Sequence, residues 1–399
     1  MFKQKTIGFI MLLIIINPIK LLAIELTDFR DPDRIFDEAF FDGQFNLDSG
    51  NQDQTSFKGT TSGFYQMNYS TLPFVWRFRF EGSLDINRGS TKDAETKENY
   101  LFNVKSNFDK YLTDNLFGLF GFGGIDLAYR RQIGDDEADN PYSKLTTGIG
   151  YGRVIDATPL ADVLRVVESL KEYGVIVGNV DDSTYLELAA IVGKRREFQS
   201  RYGFEDYEQY WIEALEKVMQ KAGILKNNML GAVGVIKTRY VLVLERISPR
   251  KHGWSVRGGA GYITSTFEDA DPDDPSLDLG FEYAKPFGYQ LQFTEEGSYS
   301  RILADDEVDL FNNRMGLTYE LSDRIDWENT WTLNAIYPTR VGAKDVMTNK
   351  LSSVFRYYVT NLVTANLKFS LTKLDDGVDN NGNDDVEKIA FFGFTYRLK

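Results

Sequence analysis

Few side chains in this chain have the type and spacing to do chemistry. Its one histidine, His252, stands in "SPRKHGW". An imidazole can act as the base that activates a nucleophile or a water, but no serine–histidine pairing is evident, and the residue reads as a turn residue at a strand's membrane edge. Cysteine is absent, which excludes disulfides, thiolate zinc sites and cysteine nucleophiles. The stretch "DDGVDNNGNDD", Asp375–Asp385, brings oxygen ligands and glycines together as calcium loops do, yet lacks EF-hand spacing and the terminal glutamate. A solvated acidic loop and a calcium site both stay open; no other cofactor is expected. In "GLFGFGGI" the glycines fall inside an alternating strand, where they suit curvature or close packing better than a nucleotide cradle. The chain does not read as an enzyme.

The remaining chemistry is charge on alternating faces. In "LPFVWRFRFEGSLDIN", Leu72, Phe74, Trp76, Phe78, Phe80, Leu84 and Ile86 share one face, and Arg77, Arg79, Glu81 and Asp85 share the other. Period two is the signature of a strand. This one runs past the roughly 9–11 residues that cross a bilayer at a tilt, and a charged face is a poor half of a dry sandwich core. Hydrocarbon outside and a polar lumen inside fit it better. The same alternation places Lys105, Arg257, Glu282, Arg314, Glu320, Asp326, Glu328, Arg356 and Lys368 on inward faces. Because the signs are mixed, this inner set suits salt-bridged filling of a narrow barrel as well as a permeation path; one-signed rings would have argued for ion selectivity.

Composition agrees. Tyrosine (22) and phenylalanine (29) are abundant, yet mean hydropathy is negative. Residues 1–23 read as an export signal: Lys3 and Lys5, the apolar run Ile7–Ile16, and Ala23 at the cleavage point. Its removal takes the formal charge of −14 to −17 through the loss of Lys3, Lys5 and Lys20. A mature chain that acidic is a poor partner for nucleic acid.

In the closing "IAFFGFTYRLK", Gly393, Tyr396 and Leu398 resemble the C-terminal signal of Gram-negative outer-membrane β-barrel proteins. Phe392 stands where that family carries a polar residue, and the chain ends Leu-Lys, so the match is partial. The resemblance covers residues 70–155 and 252–398 as an architecture. It implies outer-membrane lipid and the barrel-assembly machinery as partners, with the outer membrane as location.

The connections alternate in length. Short turns near 113–114, 285–286, 322–323 and 360–361 oppose long polar loops such as "RQIGDDEADNPY" and "PTRVGAKD". Such barrels keep short turns in the periplasm and long loops outside. Counting back from a periplasmic C-terminus gives an all-β transmembrane barrel of about 12 antiparallel strands with a periplasmic α-helical insert. Residues 71–155 supply the first four strands, 156–251 the insert, and 252–399 the other eight. Residues 57–69 and 239–247 could add two strands, making fourteen the alternative. Residues 24–70 then form an acidic arm or a plug.

Within the insert, Thr158–Pro159 opens a helix with Leu160, Val163, Leu164, Val167 and Leu170 in a stripe. A second helix starts at Asp182 or Ser183. A third carries Tyr207, Trp211, Leu215 and Val218 on one side, and a fourth covers residues 230–246. Arg195, Arg196, Arg201, Tyr207 and Tyr210 combine residue types favoured at interfaces. They read either as part of mutual helix packing or as a docking face for a periplasmic partner. The leading functional reading is a channel or translocator for a polar solute, its inner mouth gated or its partner docked by the insert. The alternative is a non-conducting barrel that anchors a periplasmic scaffold.

Overall fold

The computed structural model describes residues 24–397, except 114, 132–139, 246–247, 268–271, 305, 341, 361, 379–380 and 382. The export signal and Leu398 lie outside the described residues.

Period-two alternation resolves into one closed antiparallel barrel of fourteen strands. They are β1 (Arg34–Asp48), β2 (Ser56–Ser70), β3 (Phe74–Arg88), β4 (Thr96–Tyr111), β5 (Leu119–Arg131), β6 (Tyr142–Asp156) and β7 (Lys251–Ser265). There follow β8 (Asp274–Phe287), β9 (Leu291–Ile302), β10 (Val308–Ser322), β11 (Ile325–Pro338), β12 (Val346–Tyr358), β13 (Val363–Asp375) and β14 (Glu387–Arg397). The leading count of twelve is therefore corrected to the alternative, fourteen. One of the two added strands is the 57–69 stretch, now β2. The other is β1, built from a segment read as an arm or plug, whereas residues 239–244 of the 239–247 stretch are helical. The reason lies in "RIFDEAFFDGQFNLD": Asp37 interrupts the apolar face Ile35, Ala39, Phe41, Phe45, Leu47, so the alternation is masked in isolation. Pairing with β2 from Arg34↔Ser70 to Asp48↔Ser56 makes it a strand.

Every connection between neighbours on the sheet joins strands adjacent in sequence, apart from the β1–β14 closure. Long loops such as 49–55, 89–95 and 339–345 gather at one end. Short turns at 71–73, 288–290 and 323–324 gather at the other, which also carries the helices. The turn expected at 285–286 falls inside β8 and comes three residues later.

Register assigns the two faces. Residues directly opposite one another share a face, so Trp76↔Phe108, Phe80↔Val104 and Leu84↔Tyr100 continue one apolar surface from β3 to β4. Trp76 stacks on Phe108 at 5.5 Å, as Trp327 stacks on Phe355 at 5.5 Å. Each indole N–H donates to a serine hydroxyl two residues from that phenylalanine, Ser106 at 3.0 Å and Ser353 at 2.8 Å. A polar N–H that would face hydrocarbon unmet is thereby satisfied locally.

The opposite face is interior. Arg257 of β7 approaches Asp109 of β4 at 3.7 Å with two strands between them, which is possible only across the concave side.

The helices are α1 (Thr158–Glu172), α2 (Asp182–Gly193), α3 (Arg195–Lys221) and α4 (Gly231–Arg239), the last running into a π-helical turn at Tyr240–Leu244. α2 is capped by Asp181, whose carboxylate accepts from Thr184 N at 2.7 Å. Asp181 stays ionised further below the carboxylate range because of these Thr184 bonds. The hydroxyl of Thr158 does not cap α1. It bonds the Asp156 carboxylate and accepts from Arg250 N at 2.9 Å, tying the helix start to the strand that returns. α3 is broken at Gly203, whose φ of +79° ends the first segment.

Candidate functional site: the helix-bearing end of the barrel

Two glycines near the ends of β6 and β7, Gly152 opposite Ser255 and Gly253 opposite Val154, set the site. Gly152 on β6 has φ +102° and Gly253 on β7 has φ +109°. A Cβ on either would stand 2.3 Å from a carbonyl oxygen of the partner strand, Trp254 O or Arg153 O. Only glycine fits such a conformation. Beyond them the β6–β7 ribbon leans across the short-turn end instead of continuing the wall. Arg153 donates to the carbonyls of Thr71 (2.9 Å) and Leu72 (2.6 Å) in the β2–β3 turn. Its guanidinium lies 3.9 Å from the Tyr111 ring centre, and the Tyr111 hydroxyl donates to Gly152 O at 2.8 Å. Asp156 pairs with Arg34 of β1 at 2.5 Å. His252 is buried in β7, not in a turn, with Nε2 2.8 Å from Phe29 O.

The ribbon delivers α1 beneath the barrel. α1 is buried on nearly every side: Leu160, Val163, Leu164, Val167 and Leu170 form the expected stripe, and Ala161, Val166 and Arg165 are buried as well. A helix covered on one stripe only would leave Arg165 in water. Here α2, α4 and the π-helical turn take one side and the barrel end the other. Ile24, Leu26 and Phe29 join the same core, so the start of the described chain is packed there rather than loose.

Charged groups fix this body to the ring of strands. Glu320, at the end of β10, accepts from Arg165 of α1 and from Arg250 at 2.8 Å. Arg165 also reaches Glu245 at 3.3 Å. Arg250 donates to Tyr289 O at 2.7 Å in the β8–β9 turn. Asp326 accepts from Ser248 and, at 2.5 Å, from the Tyr358 hydroxyl. Arg196 of α3 pairs with Asp37 of β1. Burial raises the pKa of Asp162 to about 6, although Arg34, Arg165 and Arg195 pull the other way. Burial likewise raises Glu245 and brings Arg250 down to about 10. Between α1–α3 and the start of β1 lies a cavity of about 470 Å³, lined by Arg34, Asp37, Asp162, Arg195, Arg196 and Trp211 among others.

The residues expected inside lie on the interior face, but in different company. Arg77 pairs with Asp109, and Glu282 lies in the field of Lys251, Arg77 and Arg257. Arg257 is held over Phe120 and Phe122, rings that Gly148, Gly150 and Gly259 make room for. Arg79 pairs with Glu81, Lys105 with Asp126 at 3.0 Å, and Arg356 with Glu328 at 2.7 Å. Arg314 stands opposite Glu296 and Asp85 opposite Asn99; Lys368 stands opposite Phe391. Glu320 and Asp326, paired across the ends of β10 and β11, meet Arg165, Arg250 and Ser248 of the insert.

Of the docking set, Arg195 donates to the Tyr207 hydroxyl at 2.8 Å and lies over Tyr207 and Trp211. Arg196 is taken by Asp37, and Tyr207 is buried. Arg201 and Tyr210 are exposed, the latter stacked on Tyr202 at 4.0 Å. Gly393 lies under the Phe391 ring, and Tyr396 is on the outer face. In the acidic loop, Asp376 accepts amide N–H groups from Asn381 (2.7 Å) and Asn383 (2.9 Å). Among the described residues no three His, Asp or Glu are placed to hold a metal.

Sequence reasoning missed Arg153, Asp156, Asp162, Arg165 and Arg250. Two signals pointed at them: an arginine between the apolar residues Leu164 and Val166 of α1, and a glycine on each of the two strands flanking the insert.

A family profile described as "Protein of unknown function, DUF481" matches residues 245–348. A comparison with curated proteins gives no match. Among solved structures the chain is similar to the Acinetobacter baumannii outer membrane protein Omp33 at 9% identity and TM-score 0.30, covering 92% of this chain and 99% of that one. It is similar to a loop-deletion mutant of Vibrio cholerae OmpT at 7% identity and TM-score 0.34, covering 91% and 98%. It is also similar to Pseudomonas putida OprB at 8% identity and TM-score 0.31, covering 94% of each chain. The assignment of architecture rests on the register and the two faces described above. A closed antiparallel cylinder with rings outside, charges inside and strands long enough to cross a bilayer is an outer-membrane β-barrel, and this chain is one.

Proposed function

We propose that this barrel is an outer-membrane channel for a polar solute, closed at its periplasmic mouth by its own helical domain. Short turns, helices and the start of the described chain share one end, which is periplasmic if the long loops face outward. The observation that carries the reading is the set of charged latches. Arg196–Asp37 and Arg165–Glu320 join the helical domain to β1 and β10, and Arg34–Asp156 ties β1 to the end of β6 that leads into it. A permanent stopper needs no ionised contacts, since buried ion pairs add little over apolar packing. Ion pairs do let a docked body separate into water at modest cost.

Planar-bilayer recording tests this. The whole chain is expected to show low, intermittent conductance, and a chain lacking residues 157–250 is expected to conduct steadily. Absence of conductance in both would sink the channel and leave the runner-up, a non-conducting anchor for a periplasmic scaffold. The exposed Phe204, Arg201 and Tyr210 on α3 are where crosslinking would catch that scaffold's partner.

A further inference from the structure

α4 is apolar on two opposite sides. Gly234, Thr238 and Val241 are buried on the side that meets α1 and α3. On the other side Val233, Ile236, Tyr240 and Leu244 recur at helical spacing through α4 and the π-helical turn. All four are exposed, Val233 at 51% and Ile236 at 64%. The cations of the helix are turned away from this stripe. Arg239 donates to Glu208 of α3 at 2.6 Å, and Lys237 lies 3.8 Å from the Tyr173 ring centre. The neighbouring helices expose polar side chains instead, α2 through Asp182 and Glu187 and α3 through Gln209 and Lys217. A helix apolar on both sides is covered on both, by a core or by lipid, and a contiguous exposed apolar patch marks a surface that something covers.

The stripe ends at the barrel rim. Glu245, whose N–H donates to Tyr240 O at 2.9 Å, meets Arg165, and Arg165 meets Glu320 at the end of β10. Three residues on, Ser248 donates to Asp326 at the start of β11. The π-helical turn therefore abuts the β10–β11 turn. Within that turn the Arg324 carbonyl accepts from Tyr358 N at 2.9 Å, which sets Arg324 against the end of β12. Its guanidinium donates to the hydroxyls of Tyr240 and Tyr357. Tyr357 belongs to the outer face, two residues from the Phe355 ring that stacks on Trp327 there. Tyr240 and Leu244 thus carry on the lipid-facing surface of the barrel where it reaches the short turns. Tyrosines with rings toward hydrocarbon and hydroxyls on a polar partner mark the headgroup level of a bilayer.

We propose that α4 and the π-helical turn form a membrane-interface element, with Val233, Ile236, Tyr240 and Leu244 covered by acyl chains of the short-turn-side leaflet. What it recognises is hydrocarbon at headgroup depth, not a charged class of lipid. Both ends of the element are fixed. Leu230 N, just before α4, donates to Glu216 of α3 at 2.7 Å, and the far end meets the rim. The contact adds an apolar hold to the charged latches. It rests on the barrel's place in a bilayer and not on whether the barrel conducts.

Because the chain lacks cysteine, a single introduced one carries a nitroxide at a known place. The whole protein with Ile236→Cys or Val233→Cys is labelled and reconstituted in phosphatidylethanolamine–phosphatidylglycerol vesicles, and only heat-modifiable, folded barrel is measured. Collision with oxygen, which concentrates in hydrocarbon, is compared with collision with a neutral nickel chelate that stays in water on both sides of the bilayer. Leu351→Cys, on the outer wall opposite Trp331, sets the lipid value, and Gln209→Cys on α3 sets the aqueous one. The oxygen-to-nickel ratio at Ile236→Cys and Val233→Cys is expected to exceed that at Gln209→Cys by about fivefold or more, approaching that at Leu351→Cys. A ratio equal to that of Gln209→Cys overturns the proposal, because the stripe then stands in water. Low collision with both reagents refutes it as well: with dipolar broadening the cover is a second copy, and without it another part of the chain. Both side chains are exposed, so neither substitution disturbs a packed core, and either site alone decides.

Discussion

Gly152 and Gly253 do more for the architecture than any charged residue, because their positive φ turns a wall into a cover. Gly152→Ala or Gly253→Ala must move a carbonyl from 2.3 Å. We expect each to cost on the order of 1–3 kcal/mol, read as a lower temperature for loss of the heat-modifiable band. Gly121→Ala, whose added Cβ meets nothing closer than 3.9 Å, should leave it unchanged. Asp162 carries the pH dependence. Docked, its pKa is raised to about 6 by burial; released into water, it returns to the ordinary carboxylate value of about 3.9. The docked form therefore holds the proton more tightly. Docking strengthens as pH falls through about 6 and is weakest above it. Amide exchange in α1, corrected for intrinsic rate, should be slower at acid than at neutral pH. Asp162→Asn should flatten that difference, and an unchanged pH profile in the variant would refute the assignment.

Among elements, α1 has the most to lose. It is a helix whose buried arginine depends on a carboxylate from a strand 155 residues away in sequence. Glu320→Ala leaves Arg165 and Arg250 buried without that counter-charge, a change that typically costs about 3–5 kcal/mol. We expect the helices to become open to trypsin while the barrel keeps its heat-modifiable migration. Equal resistance in the variant and the parent would show that apolar packing alone holds α1. The positively charged first segment of α3 illustrates a related point. The run "KRREFQSRYG" looks like a surface because it is charged, yet Arg195 and Arg196 face Tyr207 and β1. Charge type does not tell a solvent face from a face that meets another charged element.

For the whole molecule, closure depends on the first described strands. If residues 24–70 were an arm, removing them would spare the barrel; as β1 and β2 they supply two walls and the partner of β14. Their deletion is expected to abolish heat-modifiable folding altogether. A deletion variant that still folds and inserts would mean the remaining twelve strands can close by themselves.

The outer apolar face, the inner charges and the helix stripes of α1 and α3 are local properties, set by periods of two and 3.6, and each is legible in "LPFVWRFRFEGSLDIN" or in Tyr207, Trp211 and Leu215. The even strand number and the placement of the insert at a short-turn position follow from loop lengths. Strand β1 was not legible, since Asp37 breaks its alternation and is met by Arg196, which arrives from the insert. The stretch 239–247 alternates like a strand, but its residues 239–244 are the end of α4 and the π-helical turn that follows it. The pairs Arg165–Glu320, Arg196–Asp37 and Arg34–Asp156 and the β1–β14 closure depend on residues more than a hundred positions apart. Only the closed chain brings those into reach, so only the tertiary structure could decide them.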